Sequence, residues 1–130
     1  MTYNANATHE RAVELAHKFI TELKKQISTI WYAKIHGEPM QRRGIPDFLL
    51  CINGKFVAIE FKIFRYALNI TPLQQHEMDK ISRAGGISLV VFRRERDGKI
   101  CFLDREYDSI KECVDGFIWG IVRSIEKGLL

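Results

Sequence analysis

Asn53-Gly54 stands between two apolar runs, Pro46 to Ile52 and Lys55 to Ile63. Both residues tolerate the positive φ that a two-residue type I′ turn requires, so the pair predicts a tight β-hairpin. Such a turn also fixes register. Ile52 pairs with Lys55, and stepping back from the turn brings Asp47 opposite Glu60. Directly opposed residues share a face, with Cβ atoms about 4.5–5.5 Å apart. Lys62, two residues beyond Glu60, points to that same face. Both strands are apolar on both faces, which predicts a hairpin lying centrally in a covered sheet.

The remaining pattern supplies that cover. Ala12, Ala16, Phe19, Ile20, Leu23 and Ile27 recur at helical spacing, predicting an amphipathic helix over Thr8 to Ile27 with Thr8 as N-cap. Trp31 to Ile35 reads as a strand ending at His36-Gly37-Glu38-Pro39. Thr71-Pro72 opens a second helix, Thr71 as N-cap, that stops at Gly85-Gly86. Ile87 to Phe92 and Lys99 to Leu103 are strands joined through Asp97-Gly98, and a last helix covers Tyr107 to Lys127, weakened near Gly116 and Gly120. The order α-β-β-β-α-β-β-α predicts an α/β (α+β) protein, a mixed central sheet flanked by helices.

Two opposed carboxylates between apolar strands need compensation. Like charges about 4 Å apart repel by about 1 kcal/mol in water and about 4 kcal/mol at an effective dielectric of 20. A divalent cation reverses that sign, because hard cations such as Mg²⁺ take carboxylate oxygens together with substrate phosphates. A salt bridge to Lys62 or an arginine compensates it equally well on the residues alone. The Gly-Ile-Pro-Asp segment ending at Asp47 favours the cation, since it holds the first carboxylate at a strand mouth where solvent and substrate enter.

The 130 residues suit one domain, 1–130, and 46% apolar with 28% charged residues excludes a disordered chain. No apolar run nears the roughly 20 residues that span a bilayer, so no membrane partner is expected. The N-terminus lacks a basic start and an apolar core segment, so a cytoplasmic location is expected; a small stand-alone domain of this kind suggests a bacterial or phage-infected cell. Cys51, Cys101 and Cys113 have no zinc-site spacing, and Cys51 and Cys101 read as small core residues. The net charge of +4 and pI near 9.1 point mildly toward nucleic acid. Placement says more: Arg42-Arg43 precedes the hairpin, Lys62 and Arg65 follow it, and Arg93-Arg94 ends a later strand. The alternative for each cluster is a solvated loop.

Pro46-Asp47, a twelve-residue gap and Glu60-Phe61-Lys62 resemble the PD-(D/E)XK nuclease signature. More of the chain resembles one branch, the virus-type replication-repair nuclease (VRR-NUC) domain. The matching segments are Lys34-Ile35-His36-Gly37, Gln41 to Asp47, Ala58 to Lys62, Leu68 with Thr71 to Gln74, and Arg83 to Gly86. They occur in order over roughly residues 8–92. The resemblance implies a restriction-endonuclease-like αβββαβ core, here with an extra C-terminal strand and helix. It implies Asp47 and Glu60 as ligands of Mg²⁺ or Mn²⁺, joined by the Phe61 backbone carbonyl, with Lys62 positioning or activating the attacking water. Gln74 matches a supporting glutamine. Glu10 matches an acidic residue of the first helix and joins the metal and catalytic set; its alternative is ordinary placement at a helix N-terminus, and Glu14 is the weaker candidate of the two. Ile63 to Leu68 departs from the family's glycine-containing loop.

The expected activity is phosphodiester hydrolysis on DNA by a homodimer, with Lys34, Arg42, Arg43, Arg65, Arg93 and Arg94 on the phosphate backbone. Without a base-reading module, branched or junction DNA is the expected substrate, in repair or recombination. The competing class is a binding or adaptor protein that has lost catalysis, against which the intact Asp47, Glu60 and Lys62 argue. A purely structural acidic pair is the third reading.

Overall fold

The computed structural model describes residues 5–36, 42–65 and 68–130, with the backbone alone for 5–10. The turn chemistry at Asn53-Gly54 is realised as expected, with φ of 50° and 81°. It joins β2 (Phe48–Ile52) to β3 (Lys55–Phe64), and the ladder runs from Ile52↔Lys55 to Phe48↔Ile59. Around this hairpin lie α1 (Ala5–Gln26), β1 (Ile30–Lys34), α2 (Pro72–Arg83), β4 (Ile87–Arg94), β5 (Ile100–Phe102), β6 (Arg105–Tyr107) and α3 (Ile110–Phe117). A π-helical turn (Ile118–Val122) and α4 (Arg123–Glu126) follow. The six strands form one sheet in sequence order. Among the described strands only β3 and β4 pair in parallel, and α2 makes the crossover that a parallel pair needs.

The two faces of the sheet differ. Phe48, Leu50, Ile52, Val57, Ile59, Phe61 and Val91 point to one side and are buried with Leu15, Phe19, Leu23, Val114 and Phe117 of α1 and α3. Phe61 meets Phe19 and Phe48 edge-on at centroid distances of 5.5 Å in both pairs. Each large apolar side chain buried this way contributes about 1.5–3 kcal/mol. Strand alternation then commits Glu60 and Lys62 to the other face. That face carries Ala58 and Ser88 under α2, where the Ser88 hydroxyl donates to the Met78 carbonyl at 3.0 Å. Toward β1 it is more open: Trp31, Cys51 and Phe56 pair across three strands and are all exposed.

Several expectations need correction. α1 begins at Ala5, so Thr8 lies inside the helix and is not its N-cap. Cys51 is exposed rather than a core residue: among the described elements α2 covers its face, and α2 sits over β4. The chain after β4 holds two strands: β6 pairs with β5, and Tyr107 belongs to it, stacked on Phe102 at 5.5 Å. α3 therefore starts later, at Ile110, with the Ser109 hydroxyl accepting from the Glu112 amide. The weakness expected near Gly120 is a π-helical turn. Among the described helices none is long and apolar enough to cross a membrane.

Candidate active site

Asp47 immediately precedes β2, and Glu60 lies in the middle of β3. Continuing the ladder one step past Phe48↔Ile59 sets Asp47 across from Glu60, as the turn requires. The Asp47 amide donates to Glu60 Oε2 at 3.1 Å, and the Ile35 amide of the β1 edge donates to the Asp47 carbonyl at 2.7 Å. Asp47 is thus tied to the strands on both sides.

α2 contributes the next contact. Its first turn is a full capping box: the Gln74 amide donates to Thr71 Oγ1 at 3.1 Å, and the Thr71 amide donates to Gln74 Oε1 at 3.0 Å. Holding the Gln74 carbonyl oxygen there turns its Nε2 toward the sheet, where it donates to Glu60 Oε1 at 3.2 Å. Lys62 Nζ stands 3.9 Å from the same oxygen. Glu60 therefore has a hydrogen-bond donor at each oxygen and a single cation at ion-pair range among its described partners.

Those contacts do not balance its burial. Glu60 is only 4% exposed. Loss of hydration, then the charge of Asp47, push its carboxyl up from about 4.5 to about 8, against the opposing pull of Lys62 and the Asp47 amide. The Asp47 side chain also favours keeping a proton on Glu60. A like-charged pair so placed, beside a lysine, holds a proton near neutrality.

The other expected site residues are placed unevenly. Phe61 is buried in the core by its side chain, so only its backbone is available to a site. Glu10 lies in the second turn of α1, and its side chain is outside the described residues. Among the described residues no group of three or more His, Cys, Asp or Glu side chains is arranged to hold a metal. Phe64, in the segment that departs from the family pattern, packs on Phe92 with the rings tilted and their centroids 4.6 Å apart; Tyr66 and Ala67 lie outside the described residues.

The basic residues divide. Lys34 pairs with Phe48, and Arg93 with Ile63, so both stand on the α1 face, away from Asp47 and Glu60. Arg93 instead adds its charge to that of Lys18 in holding Glu14 below the usual carboxylate range. Arg94 is held by Asp97 at 2.8 Å and Glu106 at 2.6 Å, which raise its pKa further, so its charge is met within the protein. Arg42 grips Glu77 of α2 through Nε at 2.7 Å and Nη2 at 3.2 Å. Arg43 is exposed and Arg65 half-buried just after β3. The residues next to Glu77 in sequence do not single it out. Helical spacing does offer a signal: Gln74, Glu77, Met78 and Ile81 form one inward stripe of α2, in which a glutamate demands a partner.

A mixed sheet with α1 on one face and a crossover α2 on the other is a restriction-endonuclease-like fold. Hjc, a Holliday junction resolvase from the hyperthermophilic archaeon Archaeoglobus fulgidus, shares it. The match has a TM-score of 0.53 at 16% sequence identity and covers 78% of this chain and 98% of that one. At that identity the likeness is one of fold. No protein-family model and no curated protein matches the sequence.

Proposed function

We propose that the chain is a metal-dependent DNA endonuclease of the VRR-NUC branch of the PD-(D/E)XK superfamily, acting on branched or junction DNA as a homodimer. The observation that carries this reading is the Asp47–Glu60 pair, whose charges burial and mutual repulsion set against each other beside a single lysine. The donor set suits Mg²⁺ or Mn²⁺: two hard carboxylates, with room in the ligand set for the Phe61 carbonyl, waters and a substrate phosphate. A third carboxylate from Glu10 would join them.

When bound, such an ion supplies Lewis acidity and charge neutralisation at the scissile phosphate. The protein's own groups do the rest. Gln74 and the Asp47 amide each hold one Glu60 oxygen, so the carboxylate presents a fixed rotamer. Lys62 orients the attacking water and stabilises negative charge developing on the phosphate. Arg43 and Arg65 flank the hairpin and contact the backbone, which brings affinity and salt dependence rather than sequence specificity. The absence of a base-reading module among the described elements favours recognition of DNA shape. Hjc, of the same fold, is a Holliday junction resolvase.

Cleavage assays test the reading. Four-way junction, flap and linear DNA are incubated with Mg²⁺, Mn²⁺ or chelator, comparing the wild type with Asp47→Ala, Glu60→Ala and Lys62→Ala. The expected result is metal-dependent cleavage, favouring the junction or flap, that each substitution abolishes. Cleavage in chelator, or in all three variants, would sink the mechanism. DNA binding with no cleavage under any condition would favour the adaptor reading.

A further inference from the structure

The segment that carries Asp47 is fixed to α2 at two points. At Gly44 the backbone has φ of +89° and lies flush on the first turn of α2: a Cβ there would stand 2.6 Å from the Leu73 carbonyl oxygen and 3.0 Å from the Gln74 nitrogen. Two residues earlier, the Arg42 guanidinium forks onto both oxygens of Glu77 at 2.7 and 3.2 Å. Glu77 is one helical turn beyond Gln74, and its side chain is only 8% exposed, whereas that of Arg42 is 67% exposed. The pair is thus anchored on its acidic side, and Arg42 holds Glu77 below the usual carboxylate range. Between Gly44 and Asp47 there remain only Ile45 and the buried Pro46, whose ring fixes φ.

These contacts close a ring. Asp47 bonds Glu60, Glu60 bonds Gln74, Gln74 and Glu77 share a face of α2, and Glu77 holds the Arg42 end of the segment that returns to Asp47. We propose that Arg42 and Glu77 are a positioning pair that sets the Asp47 carboxylate against Glu60, so that α2 holds both halves of the candidate metal site. The inference rests on the hydrolase reading of that site. It gives Arg42 a role distinct from a phosphate contact: its fork is engaged inside the protein, with a carboxylate that has no solvent shell to fall back on. Glu77 touches no reacting atom, and its effect passes through the 42–47 segment.

The test combines amide hydrogen exchange by NMR with steady-state cleavage, on Arg42→Gln, Glu77→Gln and the charge-exchanged Arg42→Glu/Glu77→Arg double variant. In each single variant the Asp47 amide, which bonds Glu60, is expected to exchange about tenfold faster or more, while Val57 and Ile59 amides stay unchanged. The kcat should fall roughly tenfold to a hundredfold, since small misplacements at a reacting centre are costly, with KM for DNA constant. The double variant should recover both readouts. If Glu77→Gln does not fold, Glu77→Asp replaces it, with the same Asp47 exchange readout. The proposal is overturned if Asp47 exchange is unchanged, if all amides accelerate together, or if Arg42→Gln raises KM alone as a DNA contact would. Should the wild type cleave nothing, the hydrolase reading fails by itself, and the exchange data still decide whether the pair positions Asp47.

Discussion

Replacing Glu60 by Gln should stabilise the metal-free protein at alkaline pH and destabilise it slightly in acid. Glu60 keeps its proton up to about pH 8 in the folded protein, against about 4.5 for an ordinary glutamate, first because burial removes hydration and then because Asp47 faces it. A folded-state pKa above the unfolded one means the contribution is whole below about pH 4.5 and drains away as pH rises through 8. Each pH unit inside that window removes up to about 1.4 kcal/mol, on the order of 5 kcal/mol across it. That is a large share of the roughly 5–15 kcal/mol by which domains are stable. A glutamine is neutral throughout. Its amide oxygen can accept from the Asp47 amide, but its NH₂ meets the Gln74 NH₂ and loses that bond, at about 1 kcal/mol. In urea unfolding with chelator, Glu60→Gln should therefore be about 1 kcal/mol less stable than wild type at pH 3.5, about equal to it at pH 5 and roughly 3–4 kcal/mol more stable at pH 8.5. Adding Mg²⁺ at pH 8.5 should stabilise the wild type and leave the variant unmoved. Parallel stability curves for the two proteins across this range would mean that Glu60 ionises without cost, contrary to this prediction.

The two glycines with opposite surroundings make a second test. Gly44→Ala meets backbone at 2.6 Å and a positive φ, so a loss of about 2 kcal/mol or more is expected in urea unfolding, whereas Gly54→Ala, with nothing within 4 Å of its Cβ, should lose only about 1 kcal/mol. Similar losses at both would mean that Gly44 does not rest on α2. At the helix start, Thr71→Ala should lose about 1 kcal/mol through the cap alone. Gln74→Glu keeps the capping box but sets a third carboxylate against Glu60, so it should lose more at pH 8.5 than at pH 5; a pH-independent loss would remove Gln74 from the site. Glu10→Gln should reduce metal-dependent cleavage while leaving DNA binding intact, and full activity would remove Glu10 from the ligand set.

Much of the hairpin was legible because a two-residue turn leaves no freedom: Asn53-Gly54 alone fixed which residue faces Glu60. The α2 cap was legible for the same reason, Thr71-Pro72 followed by Gln74 being a local pattern. Long-range pairings were not. Nothing near Arg42 marks Glu77 as its partner, and Arg94 reads as a free cation until the fold brings Glu106 beside it. Strand register also decides faces that charge clusters conceal, so adjacent Arg93 and Arg94 point to opposite sides of the sheet. β6 escaped notice because its hairpin turns through Leu103-Asp104, where a leucine takes φ of +53° without the glycine or asparagine that announces a turn.

Isothermal titration of Mn²⁺ into the chelator-stripped protein near pH 7 tests the Asp47–Glu60 site most directly. Saturable binding is expected, abolished by Asp47→Asn and by Glu60→Gln, with proton release in the wild type because Glu60 must give up its proton. Binding that survives both substitutions, or no binding at millimolar Mn²⁺, would contradict that expectation.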